Sequence, residues 1–233
     1  MVTSRLARSW FDSDIGGFTW NDMMEDITQV IGDMHRTHNY LLPFLEDAER
    51  TEFTRILNKD PTLPGLKYSL MRLSSYLTRF HGNKCIVLID EYDAPLDKAY
   101  NKGYYHTAME FFRSLFSSLL KENEDVHKVF LAGVLRVGNS GVLSGLNNLC
   151  VYSMTSSRFA DKFGFTEDEV ALLCAQHKID IPINDVEAWY GGYQSSSSFR
   201  QYKMYNPWSI ARLCSGNELQ MYWNVKYFLC GKP

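Results

Sequence analysis

The chain has 233 residues, 45% hydrophobic and 22% charged, a composition that supports a medium domain with its own core and excludes a disordered tail. A net charge of −3, from 24 basic and 27 acidic residues, offers no basic excess for nucleic acid or an anionic membrane surface. No uncharged apolar run approaches the ~20 residues of a membrane span, residues 1–10 lack a secretory core segment, and the five cysteines contain no C-x-x-C pair. An intracellular, cytoplasmic protein with reduced and mostly buried thiols is expected.

The N-terminal region reads as helix. Ile27, Val30, Ile31, Met34, His38, Leu41, Leu42 and Leu45 follow i, i+3, i+4 spacing, and Pro43 is placed to bend or interrupt the segment. A second helix fits 49–57, followed by a loop at Asp60-Pro61 and Pro64-Gly65. Leu66, Leu70, Leu73, Leu77 and Phe80 predict a third helix, with Gly82 as its C-cap. The period then changes. Cys85-Ile86-Val87-Leu88-Ile89 is a continuous apolar run suited to a parallel strand buried on both faces, and it stops at Asp90-Glu91. A helix over about 103–121, with Ala108, Phe112, Leu115 and Leu119 on its apolar face, leads to a second buried strand over 128–135. Strand, helix, strand is the unit of an α/β fold.

Residues 136–149 form a Gly-, Ser- and Asn-rich loop, and 150–154 fit a short strand. Further on, Thr166-Glu167-Asp168-Glu169 is a capping box, Asn184-Asp185-Val186-Glu187 caps another helix, and Asn206-Pro207 starts a third. Residues 195–198 are a serine-only turn. These elements predict a small helical C-terminal subdomain.

Chemistry concentrates at Asp90-Glu91. A parallel strand delivers its last residues to the carboxyl edge of the sheet, where α/β ligand sites lie. The apolar run ending in Asp-Glu is similar to the Walker B motif of P-loop ATPases. In that motif one carboxylate holds Mg²⁺, usually through water, and the next polarises the attacking water. Alone, such a run also fits a plain acidic loop.

The surrounding stretch Leu88-Ile89-Asp90-Glu91-Tyr92-Asp93-Ala94-Pro95-Leu96 resembles the signature of the AAA-ATPase-like family, whose members are often fused to a PD-(D/E)XK nuclease-like domain. Phe130-Leu131-Ala132-Gly133-Val134-Leu135-Arg136, Ser144-Gly145-Leu146-Asn147-Asn148-Leu149, Arg158-Phe159, Phe163-Gly164-Phe165-Thr166-Glu167, Trp189-Tyr190-Gly191-Gly192-Tyr193 and Tyr205-Asn206-Pro207-Trp208-Ser209 follow in family order. The resemblance covers roughly residues 65–224. It implies an α/β fold with a parallel-sheet P-loop NTPase core and a small C-terminal helical lid. It also implies ATP and Mg²⁺ as cofactors, with Asp90 as the metal carboxylate and Glu91 as the water activator. Arg136 would be a cation near the γ-phosphate, or equally a surface residue anchoring its loop. Asp93 and Asp97 fit turn or helix-cap positions better than ligands.

The phosphate cradle of such an ATPase, G-x-x-x-x-G-K-[ST], does not occur in the sequence. Gly133-Val134-Leu135-Arg136-Val137-Gly138-Asn139-Ser140 has the glycine spacing but carries Asn139 where Lys is required, and it follows the acidic strand instead of preceding it. Gly231-Lys232 has no glycine five residues ahead of Gly231. The expected organisation is a helical region over 1–64, a partial P-loop core over 65–160 that lacks the Walker A strand and loop, and a lid over 161–233. Truncation of this kind predicts an unpaired strand edge and an uncovered apolar face. The functional expectation is ATP binding and hydrolysis in the intact form, compromised in this chain; the alternative is a non-catalytic remnant or interaction module. A nucleotide, a second copy or a protein are the expected partners; membrane and nucleic acid are not. His35 and His38 make a thin metal site against a reading as packing residues. No acidic-x-Lys pair stands on a strand, so nuclease activity is not expected.

Overall fold

The computed structural model describes residues 5–8, 15–59, 65–134, 149–153, 156–196 and 201–222. The chain divides into two compact units, residues 1–149 and 150–233.

In the first unit, α1 (Trp20–Thr37) starts where Thr19 accepts from the Asp22 N–H and Asp22 accepts from the Thr19 N–H, a reciprocal capping box. Met23, Ile27, Ile31 and Met34 form its buried stripe. Pro43 lies inside a 3₁₀ segment, Asn39–Phe44, so the periodic run breaks at Thr37, earlier than the proline itself. Next come α2 (Asp47–Leu57) and α3 (Ser69–His81). Gly82 closes α3 at φ 66°, its N–H on the Thr78 carbonyl at 2.8 Å, the left-handed cap that glycine adopts without strain. Salt bridges Arg79–Glu49 (2.7 Å) and Arg72–Glu52 tie α3 to α2 at the surface.

The sheet follows the order β1-β2-β3, all parallel: β1 (Arg5–Arg8), β2 (Cys85–Ile89) and β3 (Val126–Leu131). The strand expected at the Asp-Glu run is therefore present, but with Cys85, Val87 and Ile89 buried and Ile86 and Leu88 half-buried. β1 departs from the sequence reading, which found no N-terminal strand: it pairs Arg5 to Arg8 with Ile86 to Ile89, so neither edge of β2 is unpaired. The second strand is outermost and largely solvated, with Phe130 66% exposed, where the apolar run had predicted burial.

Between β2 and β3 stand two helices, α4 (Ala94–Lys102) and α5 (Tyr105–Leu120), separated by Gly103. The sequence reading had only the second. Ala108, Phe112, Leu115, Phe116 and Leu119 on α5 join Ile27, Ile31, Phe53, Leu73, Leu77, Val87 and Ile89 in one continuous core. Each such side chain contributes about 1.5–3 kcal/mol on burial. Residues 20–57 thus share a core with the sheet. Residues 15–17 are held by Lys98, whose Nζ donates to the Ile15 carbonyl at 2.8 Å, and by Tyr104, whose hydroxyl donates to the Gly17 carbonyl at 2.9 Å.

The second unit is not purely helical. A three-stranded antiparallel sheet, β4 (Phe165–Thr166), β5 (Gly191–Ser196) and β6 (Gln201–Tyr205), runs in the order β4-β6-β5. It accompanies α6 (Glu167–Gln176), α7 (Ile183–Tyr190) and α8 (Pro207–Gly216) around Val170, Val186, Tyr205, Ile210 and Leu213. The Thr166–Glu169 capping box and the Asn206 cap are formed. α7 begins after Pro182 with no side-chain cap, so Asn184 lies within the helix. Residues 150–153 contain no strand, and the loop at 136–148 falls outside the described residues.

Candidate functional site

Asp90 and Glu91 follow directly on β2 and both are exposed at the carboxyl end of the sheet. The Asp90 Oδ1 accepts the Glu91 N–H at 2.9 Å, and the Glu91 carbonyl accepts the Ala94 N–H at 3.0 Å, which begins the turn into α4. Glu91 has φ 50°, in the left-handed region that costs a non-glycine residue about 1–2 kcal/mol.

The ladder between the two strands explains that conformation. Ile89 pairs with Leu131, and the Ala132 N–H donates to the Ile89 carbonyl at 2.8 Å. In an unbroken parallel ladder the Ala132 carbonyl would next accept from Glu91. It accepts instead from the Tyr92 N–H, at 3.3 Å. β2 ends at Ile89, so this bond comes one residue later, from the turn that leaves the strand. Its effect shows in the burial. Cys85, Val87 and Ile89 point inward at every second position, yet the next inward residue is Tyr92, 9% exposed, and not Glu91. Strict alternation would have sent the two carboxylates to opposite faces. The turn leaves both in solvent.

Asp93 is buried, 4% exposed, and is the residue before α4, though its side chain makes no cap bond. Asp97 lies in the first turn of α4 and accepts from Asn101 at 3.4 Å, so neither is a side-chain cap. Arg136 lies outside the described residues. The acidic pair is what this edge offers a cation. Among the described residues no group of three His, Cys, Asp or Glu side chains converges, so water and an anionic ligand would have to complete the six oxygens of Mg²⁺.

The histidines separate in role. His35 is fully buried against Phe53, ring centroids 4.9 Å apart, and its Nδ1–H donates to the Ile31 carbonyl at 2.9 Å. Burial pushes its pKa down to about 4. His38 faces elsewhere: its Nδ1 is 3.1 Å from the Tyr40 hydroxyl, which is 3.0 Å from His81 Nε2. Burial first, then the neighbouring His81, lowers the His38 pKa. The two do not form a pair. Cys85 and Cys174 are buried free thiols and Cys150 is exposed. Burial raises the pKa of both buried thiols, which suits inert packing residues.

Tyr92 and Gly133 stand in the motifs that carry the family resemblance, but the sequence assigns neither a role at the site. The change of parity across Asp90-Glu91 shows in the burial of Cys85, Val87, Ile89 and Tyr92, and the continuous apolar run of 85–89 hides it in the sequence.

The model of a protein family described as "Predicted AAA-ATPase" matches residues 20–143. The chain belongs to this AAA-ATPase-like family. Its name points to nucleotide and metal dependence in general terms. The chain is also similar to an "Uncharacterized protein in vnfD 5'region" of Azotobacter chroococcum mcd 1, 30% identical over 143 residues, which are 61% of this chain and 27% of that protein. It therefore spans about a quarter of that relative's length. No solved structure matches. Among the described residues no helix is long and apolar enough to cross a membrane.

Proposed function

We propose that the first unit supplies the acidic half of a P-loop-type ATPase site. Asp90 holds the Mg²⁺ of a bound nucleotide, directly or through water, and Glu91 polarises the water that attacks the γ-phosphate. Arg136 is the proposed cation for the developing phosphate charge. The observation that carries this reading is the exposed carboxylate pair at the carboxyl end of the middle parallel strand, the place where α/β folds bind ligands.

No G-x-x-x-x-G-K-[ST] occurs in these 233 residues, and that favours one second reading, a non-catalytic interaction module of the same family. Binding of a fluorescent ATP analogue to the purified chain with Mg²⁺ separates them. Micromolar binding that disappears in Asp90→Ala supports the ATPase reading. No binding, or binding indifferent to Asp90, supports the second.

A further inference from the structure

We infer that Gly133 is a positioning residue for the Asp90-Glu91 pair, because its missing side chain lets Tyr92 and Asp93 lie against the end of β3 and so leaves room for the turn that carries the pair. The inference rests on the proposed cation site and adds to it the part of the fold that aims it.

Gly133 follows Ala132, whose carbonyl accepts from the Tyr92 N–H. A Cβ placed on Gly133 would stand 2.5 Å from Asp93 Oδ1 and 2.7 and 2.9 Å from two carbons of the Tyr92 ring. Ordinary contacts of a methyl group begin near about 3.4 Å. Both neighbours are buried, so neither can swing freely into water. A methyl here therefore has to displace the Tyr92–Asp93 turn by several tenths of an ångström or more. That turn includes the Tyr92 N–H, whose bond to the Ala132 carbonyl is already long at 3.3 Å. Loss of that bond frees Glu91 to leave its left-handed conformation, which changes the orientation of its carboxylate relative to that of Asp90. The glycine is constrained here by close approach and not by its φ, because no positive φ is recorded at this position.

The test uses the full chain with Mn²⁺ in the presence of ATP as the probe, read by water-proton relaxation, together with amide hydrogen exchange. In the parent protein Mn²⁺ should bind and Asp90→Ala should abolish it. In Gly133→Ala the affinity should fall about tenfold, in line with a misplacement of part of an ångström. The Tyr92 amide should exchange about tenfold faster, the equivalent of one lost hydrogen bond. Ile56→Ala, in the core of α2, controls for general destabilisation: it should lower the melting temperature and leave Mn²⁺ affinity unchanged. Should Gly133→Ala not fold, pairing it with Tyr92→Leu removes the two ring contacts. That double variant should fold and still bind Mn²⁺ more weakly than Tyr92→Leu alone. Unchanged Mn²⁺ affinity or unchanged Tyr92 exchange in the folded variant overturns the inference and leaves the cation site standing. A parent protein with no Asp90-dependent Mn²⁺ binding overturns the site, and with it the positioning role.

Discussion

The interior of the first unit and its carboxyl edge obey different rules. In the interior, helix caps, apolar spacing and strand alternation agree, and side chains such as Ile27, Leu73, Ile89 and Phe112 are at most 2% exposed. At the edge that agreement stops. Glu91 is left-handed, the strand gives way to a turn, and Phe130 and Val134 are 66% and 92% exposed. The difference teaches that stability is stored where the pattern is regular, and that the carboxylates sit where the pattern is broken.

Four measurements can break or sharpen that contrast. The largest effect belongs to Ile89→Ala, which empties a buried site one residue before the carboxylates and should cost about 2–5 kcal/mol in denaturant unfolding. A loss below about 1 kcal/mol would place β2 outside the core. Acid is the next probe, through His35. Its folded-state pKa is about 4 against an ordinary 6.5, so the fold requires the neutral ring. Its contribution is complete above about 6.5 and is lost as pH falls towards 4, for a total of about 3 kcal/mol. His35→Leu should flatten the stability profile over that interval. At the edge the sign reverses: Glu91→Gly should raise stability by about 1 kcal/mol by relieving the left-handed residue. A lowered melting temperature would contradict the strain. Smallest of all, Phe130→Ser should change stability by less than about 0.5 kcal/mol, since that ring faces water, while it reduces concentration-dependent association.

The regular half of the molecule was largely legible in its sequence. β2 was placed by its β-branched run, α3 by leucine spacing and Gly82, and α6 and α8 by their caps, because each signal is local. What escaped depends on partners distant in sequence. Arg5–Arg8 carries too few apolar residues to announce β1, which exists because β2 offers it a ladder. β3 has a composition that reads as interior, but its position at the sheet's edge leaves it solvated. β5 and β6 are joined through a serine-rich stretch with no strand-like composition, so their pairing hid behind what looked like a turn. The site was half legible. Asp90 and Glu91 stood out as residue types, whereas the turn that carries them is fixed by the Tyr92–Ala132 bond between segments distant in sequence, and Gly133 gains meaning only when Tyr92 is against it.

The parallel pairing of β2 with β3 carries one more consequence, for the order of events in folding. Antiparallel strands can meet through a tight turn, but these two are joined only through α4 and α5. Closing this ladder therefore carries the entropy cost of a long loop, and β1, which pairs with a strand some 80 residues further on, carries the larger one. The helices α1 to α3, built from local contacts, can nucleate first. The edge that presents Asp90 and Glu91 is then among the last parts of the unit to take shape, and among the first to open when the chain is stressed.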